Sequence, residues 1–141
     1  MFEWKEEYTT GMKEIDEQHK ILFKCFNELE AVVVAGQRND EKVIAIMEFL
    51  DSFCHFHFGF EEICMAERKC SSESENKGAH EAFLKLIDTY KEKIKKEGAT
   101  EDIVEDIYIS MLTWLRNHII KIDQRFLECP NPPVVPDVLK D

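Results

Sequence analysis

Helix-breaking residues are scarce over most of this 141-residue chain. It contains only five glycines and four prolines, and the prolines fall together near the C-terminus, from Pro130 onwards. Because glycine and proline are the strongest local breaks in regular structure, the interior is predicted to form long helices with short connections. In the first such segment apolar residues recur at spacings of three and four, as in an amphipathic helix: Ile15, Leu22, Phe23, Phe26, Leu29 and Val33.

Four amphipathic helices are predicted from this pattern and from the residues that could cap them. Asn39 or Asp40 can cap the second helix, and Thr100 can cap the fourth. The serine cluster at 71–74 can cap the third, which stops before Gly98. The expected helices span about 16–34, 40–67, 71–97 and 100–126.

The expected fold class is all-α, with one domain over residues 1–141. Four helices with short connections form an up-down-up-down antiparallel four-helix bundle, here over about 15–127. An N-terminal arm, about 1–14, holds Phe2, Trp4 and Tyr8 and is expected to pack on the bundle. The Pro-rich C-terminal tail, about 128–141, cannot continue the last helix.

The charge balance argues against two classes of binding partner. The net charge of −11, from 29 acidic and 18 basic residues, argues against binding to nucleic acid or to an anionic membrane surface. The N-terminus lacks a signal-peptide pattern, and no run looks apolar enough to span a bilayer. A soluble cytoplasmic protein is therefore expected. The oligomeric state is not predicted.

The five cysteines are predicted to be reduced. They are odd in number, irregularly spaced, and contain no CxxC pair, so a zinc knuckle or redox dithiol is not expected. We therefore interpret them as small apolar core residues.

Four of the five histidines fall at spacings that suit metal binding. His57 and Glu61 are four residues apart and point the same way on a helix. His118 and Asp123 are five apart, about 140° around an ideal helix. Both can reach one site only if the helix is interrupted, so a π-type turn or distortion is predicted between Ile119 and Asp123. The two remaining histidines, His19 and His80, lie among apolar residues.

Each of these residues also has a simpler interpretation. A single histidine on an apolar helix face is more often a hydrogen-bonded core residue than a ligand. Four histidines and two carboxylates, all facing inward on four helices, are much harder to explain separately. By contrast, His55 points about 200° away from His57 and is expected at the surface, and Glu62 is expected on the flank of the row.

These segments resemble a hemerythrin of the bacterial single-domain type. The arm W-x(3)-Y-x-x-G with IDEQHK is followed by HFxFEE, HEAFL and WLxxHIxxxD, in the family's order and over nearly all of the chain. The resemblance implies a cofactor of two iron ions with an oxo or hydroxo bridge, and Glu61 and Asp123 as bridging carboxylates. It also implies that His19 and His57 bind the iron that takes up dioxygen, and that His80 and His118 bind the other.

The resemblance further implies an apolar pocket beside the irons. Trp114 and Leu115, one turn before His118, match its lining, and Phe23 is a further candidate beside His19. A dry pocket slows the leakage of protons and of superoxide, which would leave the site oxidised and inactive.

Asn76 departs from the family pattern. The family has two histidines four apart, whereas this chain reads NKGAH, with Asn76 at the first position and His80 at the second. Three outcomes are open for the missing ligand: water or hydroxide hydrogen-bonded to Asn76, the Asn76 amide oxygen itself, or the thiolate of Cys64. Cys64 lies at a similar height on the preceding helix, where core packing is its simpler role.

The resemblance implies reversible binding of dioxygen for storage, delivery or sensing. Because the ligand set is one histidine short, an enzyme that reduces peroxide or nitric oxide, or oxidises ferrous iron, is an alternative. A bundle that binds one iron or another metal, with little oxygen chemistry, is a third. The sequence leaves open which of dioxygen, nitric oxide and peroxide is the physiological ligand.

Overall fold

The fold is all-helical, as predicted. The computed structural model describes residues 2–121 and 123–129, with side chains for all of these except Asp123 and Gln124. Within those ranges the regular structure is helical throughout and includes no strand. The α-helices are α1 (Lys13–Ala35), α2 (Asp40–Glu67), α3 (Glu73–Glu97) and α4 (Glu101–Lys121), with short 3-10 helices at Glu6–Tyr8 and Asp123–Glu128.

Local capping sets most helix ends where they were expected. The Asn39 side chain accepts a hydrogen bond from the Lys42 amide at 3.1 Å and starts α2. Thr100 Oγ1 accepts one from the amide of Ile103 at 3.3 Å at the start of α4. Gly36 ends α1 with φ of 63°, a left-handed conformation that glycine adopts at little cost. The serine cap expected for α3 does not form, because Ser72 stands at the cap position without a capping hydrogen bond.

The helices form a closed four-helix bundle. Each helix packs against its neighbours in sequence, and α1 also packs against α4. Apolar residues from all four helices form the main core, and a second cluster lies where α2 meets α3. That second cluster consists of Met12, Ile15, Phe60, Cys64, Met65, Cys70 and Phe126.

The N-terminal arm packs on α1, as expected. Tyr8 is buried, and Phe2 and Trp4 pack against the main core. The Phe2 ring meets Phe23 edge-on with centroids 4.3 Å apart. The Phe2 amide also donates a hydrogen bond to Asn27 Oδ1 at 2.7 Å, which fixes the start of the arm on α1.

The last helix ends earlier than predicted. α4 stops at Lys121 instead of continuing toward Phe126, and a 3-10 helix takes over at Asp123. This change of helix type is the distortion predicted between Ile119 and Asp123. Residues 119–121 are α-helical, so no π-type turn is seen in the described part of the segment, and Ile122 lies outside it. The tighter 3-10 backbone carries the Phe126 side chain into the second cluster. Arg68 Nη2 donates a hydrogen bond to the Phe126 carbonyl at 2.8 Å and holds it there.

The expectation that all five cysteines are reduced is wrong. Cys70, in the joint between α2 and α3, forms a disulfide with Cys129, whereas Cys25, Cys54 and Cys64 are buried free thiols. The reason is the early end of α4, since the 3-10 helix leads Cys129 back to that joint.

The expectation that no segment could span a bilayer is wrong for α2 on length and composition. A window of this helix has a mean hydropathy of 1.3, and it is the one helix of this kind in the described ranges. Within the bundle 44% of the window is buried. A core helix of a bundle can have the same length and apolar composition. α2 is a core helix of this kind, and its buried residues include His57 and Glu61.

Candidate metal centre

Four histidines and one glutamate meet inside the bundle, each at most 4% exposed. They form two groups of three possible metal ligands, and within each group the ligand atoms lie within 4.8 Å of one another. Glu61 belongs to both groups. The first group is His19, His57 and Glu61, and the second group is Glu61, His80 and His118.

Glu61 turns one carboxylate oxygen toward each group. Its Oε2 lies 3.0 Å from His19 Nε2 and 3.1 Å from His57 Nε2, and its Oε1 lies 2.9 Å from His80 Nε2. Adjacent ligands around a metal with bonds of about 2.1 Å at right angles would be separated by about 3 Å. The spacing therefore fits two metal ions joined by one carboxylate.

The contacts of the Nδ1 atoms, which are the outer ring nitrogens of His57 and His80, show how these two imidazole rings are oriented. His57 Nδ1 lies 2.6 Å from Gln18 Oε1, and His80 Nδ1 lies 3.1 Å from Glu62 Oε2. Both partners are acceptor oxygens, so each Nδ1 carries a proton and donates it. In a neutral imidazole this leaves the Nε2 lone pair facing Glu61. An outer acceptor that orients a histidine in this way is usual for metal-binding histidines.

Charge also favours a cation between these groups. Burial by itself would raise the pKa of the Glu61 carboxyl, but the positive charge of His57 and hydrogen bonds from His19, His57 and His80 hold that pKa well below its usual range. Without a metal, this balance requires protonated imidazoles. His57 and His80 already donate from Nδ1, so each would need a positive charge to donate to Glu61 from Nε2 as well, and such charges are costly to bury in a low-dielectric interior. Metal ions bound to neutral imidazoles avoid that arrangement.

Aromatic rings cover the two groups unequally. In the second group, Phe58 stacks on His80 with centroids 3.9 Å apart, and Trp114 stacks on His118 at 4.6 Å. In the first group, Trp4 of the arm is tilted 6.5 Å from His19, and Phe53 is parallel to His57 at 6.1 Å. The second pair of histidines is thus held more tightly by its neighbours.

The structure brings five of the predicted ligand residues together in these two groups. Asn76, the sixth whose side chain is described, belongs to neither group. The side chain of Asp123 lies outside the described residues, and its backbone begins the 3-10 helix just after α4. His55 is 65% exposed, as expected for a surface residue. Of the predicted pocket residues, Trp114 lies on the second group, Phe23 contacts Trp4 at 5.7 Å on the side of the first group, and Leu115 is buried in the main core.

Asn76 is fully buried one turn before His80 on α3. Its Nδ2 donates to the sulfur of Met65 at 3.1 Å, and its Oδ1 has no hydrogen-bond partner within the described ranges. Cys64 is absent from both groups of possible ligands. Burial, and next the nearby Glu67, raise the pKa of the Cys64 thiol to about 12, which supports core packing as its role.

Two residues of the site were missed from the sequence. Gln18 precedes His19 in the chain but contacts His57 on the next helix, and Glu62, expected on the flank, contacts His80. Spacing within a helix carries no information about partners across helices. The only available signal was that each is a polar residue beside a candidate ligand.

The Hemerythrin HHE cation binding domain model matches residues 10–129. The chain belongs to the hemerythrin family. Over 131 residues, 91% of this chain and 100% of the relative, it is 26% identical to a bacteriohemerythrin of Clostridium acetobutylicum. It is 29% identical over 128 residues to one of Stenotrophomonas maltophilia, covering 89% of this chain and 78% of the relative. A hemerythrin-like protein of Naegleria gruberi is 30% identical over 126 residues, 89% of this chain and 90% of the relative.

Membership in the hemerythrin family indicates which metal the two groups of residues suit. Imidazole and carboxylate together suit iron among the first-row metals. The family and the buried histidine and glutamate groups together indicate a non-heme iron protein.

Proposed function

We propose that this hemerythrin-family chain holds two irons and binds dioxygen reversibly, for storage, delivery or sensing. The observation that carries the proposal is the position of Glu61. Its Oε2 lies 3.0 and 3.1 Å from His19 and His57, and its Oε1 lies 2.9 Å from His80, which is grouped with His118. His19 and His57 would hold one iron, and His80 and His118 the other. Asp123 is proposed as a second bridging carboxylate, because it begins the segment directly after α4.

The irons would supply the two electrons that reduce dioxygen reversibly to the peroxide level. The protein's part is to position the ligands and to exclude water. Gln18 and Glu62 fix the rings of His57 and His80 by accepting from their Nδ1 atoms. Aromatic rings also lie against three of the histidine rings: Trp4 beside His19, Phe58 on His80 and Trp114 on His118. They limit the entry of water and protons.

An optical titration tests the proposal. The anaerobic ferrous protein should contain two irons per chain, gain a visible absorption band on exposure to dioxygen, and lose that band under vacuum over repeated cycles. Rapid conversion to the diferric form without a reversible band would contradict dioxygen carriage and would favour turnover of peroxide or nitric oxide. One iron per chain would contradict the two-iron centre itself.

A further inference from the structure

A buried amide beside the second group has an unused acceptor. Asn76 is 0% exposed, and its Oδ1 has no hydrogen-bond partner in the part of the chain that the structure describes. Leaving such an acceptor unsatisfied destabilises a folded protein, so a buried group of this kind calls for an explanation. Its Nδ2 is used only weakly, since the sulfur of Met65 is a poor acceptor.

Asn76 shares a helix face with a ligand of the second group. It lies four residues before His80 on α3, so the two side chains are neighbours one turn apart. An oxygen at that position can accept a hydrogen bond from water or hydroxide at the second metal position. In the first group, by contrast, the amide oxygen of the half-buried Gln18 already accepts a hydrogen bond from His57.

A surface cleft lies beside the second group. A cleft of about 210 Å³ is lined by Ala79, Trp114, Asn117, His118 and Lys121. Ala79 lies three residues after Asn76 on α3, which places the cleft on the same side of that helix. His118 belongs to the second group and also lines the cleft, so the cleft lies directly against that group.

Charge at the cleft favours anions. The exposed ammonium of Lys121 lines it, in a chain whose net charge of −11 otherwise repels them. A local positive charge at an entrance raises the local concentration of small anions.

We propose that the second metal has its own exchangeable ligand site, bounded by Asn76 and reached by small anions through the His118 cleft. The resting ligand is water or hydroxide, which donates a hydrogen bond to Asn76 Oδ1, and an anion replaces it without any change in iron oxidation state. This inference rests on the proposed two-iron centre and adds a second ligand position to it.

Azide titration of the diferric protein tests the site. Wild-type protein with two irons per chain should bind two azides in two spectroscopic steps, seen by visible absorption and by Mössbauer signals from both irons. Asn76→His, which supplies an imidazole in place of the exchangeable ligand, should bind only one. A single azide on wild-type protein that contains two irons would overturn the inference alone, whereas fewer than two irons would overturn the proposed function.

A surface variant provides a second test that does not disturb the buried site. Lys121→Glu should slow the binding of the second azide about tenfold at low ionic strength and much less at high salt, because the effect is electrostatic. The rate for the first azide should not change. Lys24→Glu, on the outer face of α1, is the matched control and should alter neither rate. Equal slowing of both azides by Lys121→Glu would contradict entry through the cleft.

Discussion

The two groups of the candidate metal centre share one carboxylate but are supported differently. The first group is covered by an arm that packs without covalent attachment, and the outer partner of its His57 is the neutral amide of Gln18. The second group has two closely stacked aromatic rings, and the outer partner of its His80 is the carboxylate of Glu62. The second cluster next to it is closed by a disulfide.

This difference suggests a division of roles. A carboxylate that accepts from the outer nitrogen makes an imidazole a stronger metal ligand than an amide in the same position does. The second group should therefore hold its metal more firmly, even with fewer histidines than the family pattern and with the proposed exchangeable ligand position. The first group, which has a looser cover, is the better candidate for the dioxygen-binding side.

The largest effect is expected from a substitution that weakens both metal positions at once. Glu61→Gln takes away the charge shared by the two groups, so iron content should fall from two per chain to near zero, as measured by elemental analysis. Circular dichroism of the variant should remain helical, because the ligand rings keep their packing. A variant that retains two irons would show that the carboxylate does not bridge the two groups.

The Cys70–Cys129 disulfide should contribute to the stability of the whole bundle. Cys129→Ser opens a loop closed across 59 residues, and the free energy of unfolding should drop by about 2–4 kcal/mol in denaturant titrations of the metal-free protein. Adding a reductant to wild-type protein should reproduce the drop and should leave Cys129→Ser unchanged. An equal response to reductant in both proteins would mean that the Cys70–Cys129 bond does not form.

The smallest effect distinguishes the two outer partners. Glu62→Gln should weaken retention of the second iron by roughly tenfold in competition with a chelator, because His80 loses its carboxylate partner. Gln18→Glu should strengthen retention of the first iron in the same assay. If both substitutions change the same iron, the assignment of separate supports is wrong.

The residues that meet inside the bundle were predictable because they follow helix periodicity. His57 and Glu61 share a face at a spacing of four, and apolar neighbours showed that His19 and His80 turn inward. Contacts between helices were not predictable in this way. Gln18 and Glu62 reach histidines 39 and 18 residues away in sequence, and such pairs depend on how the helices are rotated in the bundle.

The end of α4 shows a second limit. The apolar pattern of the fourth segment continues toward Phe126, so periodicity extends the helix too far. In the structure Phe126 packs into the second cluster, and Arg68 binds its carbonyl. Tertiary packing therefore sets the boundary, and the same change of direction produces the disulfide that cysteine counting had missed.

The position of Glu61 has a consequence for how the protein acquires metal. An ion bound by either histidine pair fixes the carboxylate and thereby prepares half of the other binding position, so the two binding events are thermodynamically linked. Loading should be cooperative, with few chains holding a single ion when iron is limiting. The concentration of functional protein would then rise more steeply than the iron supply.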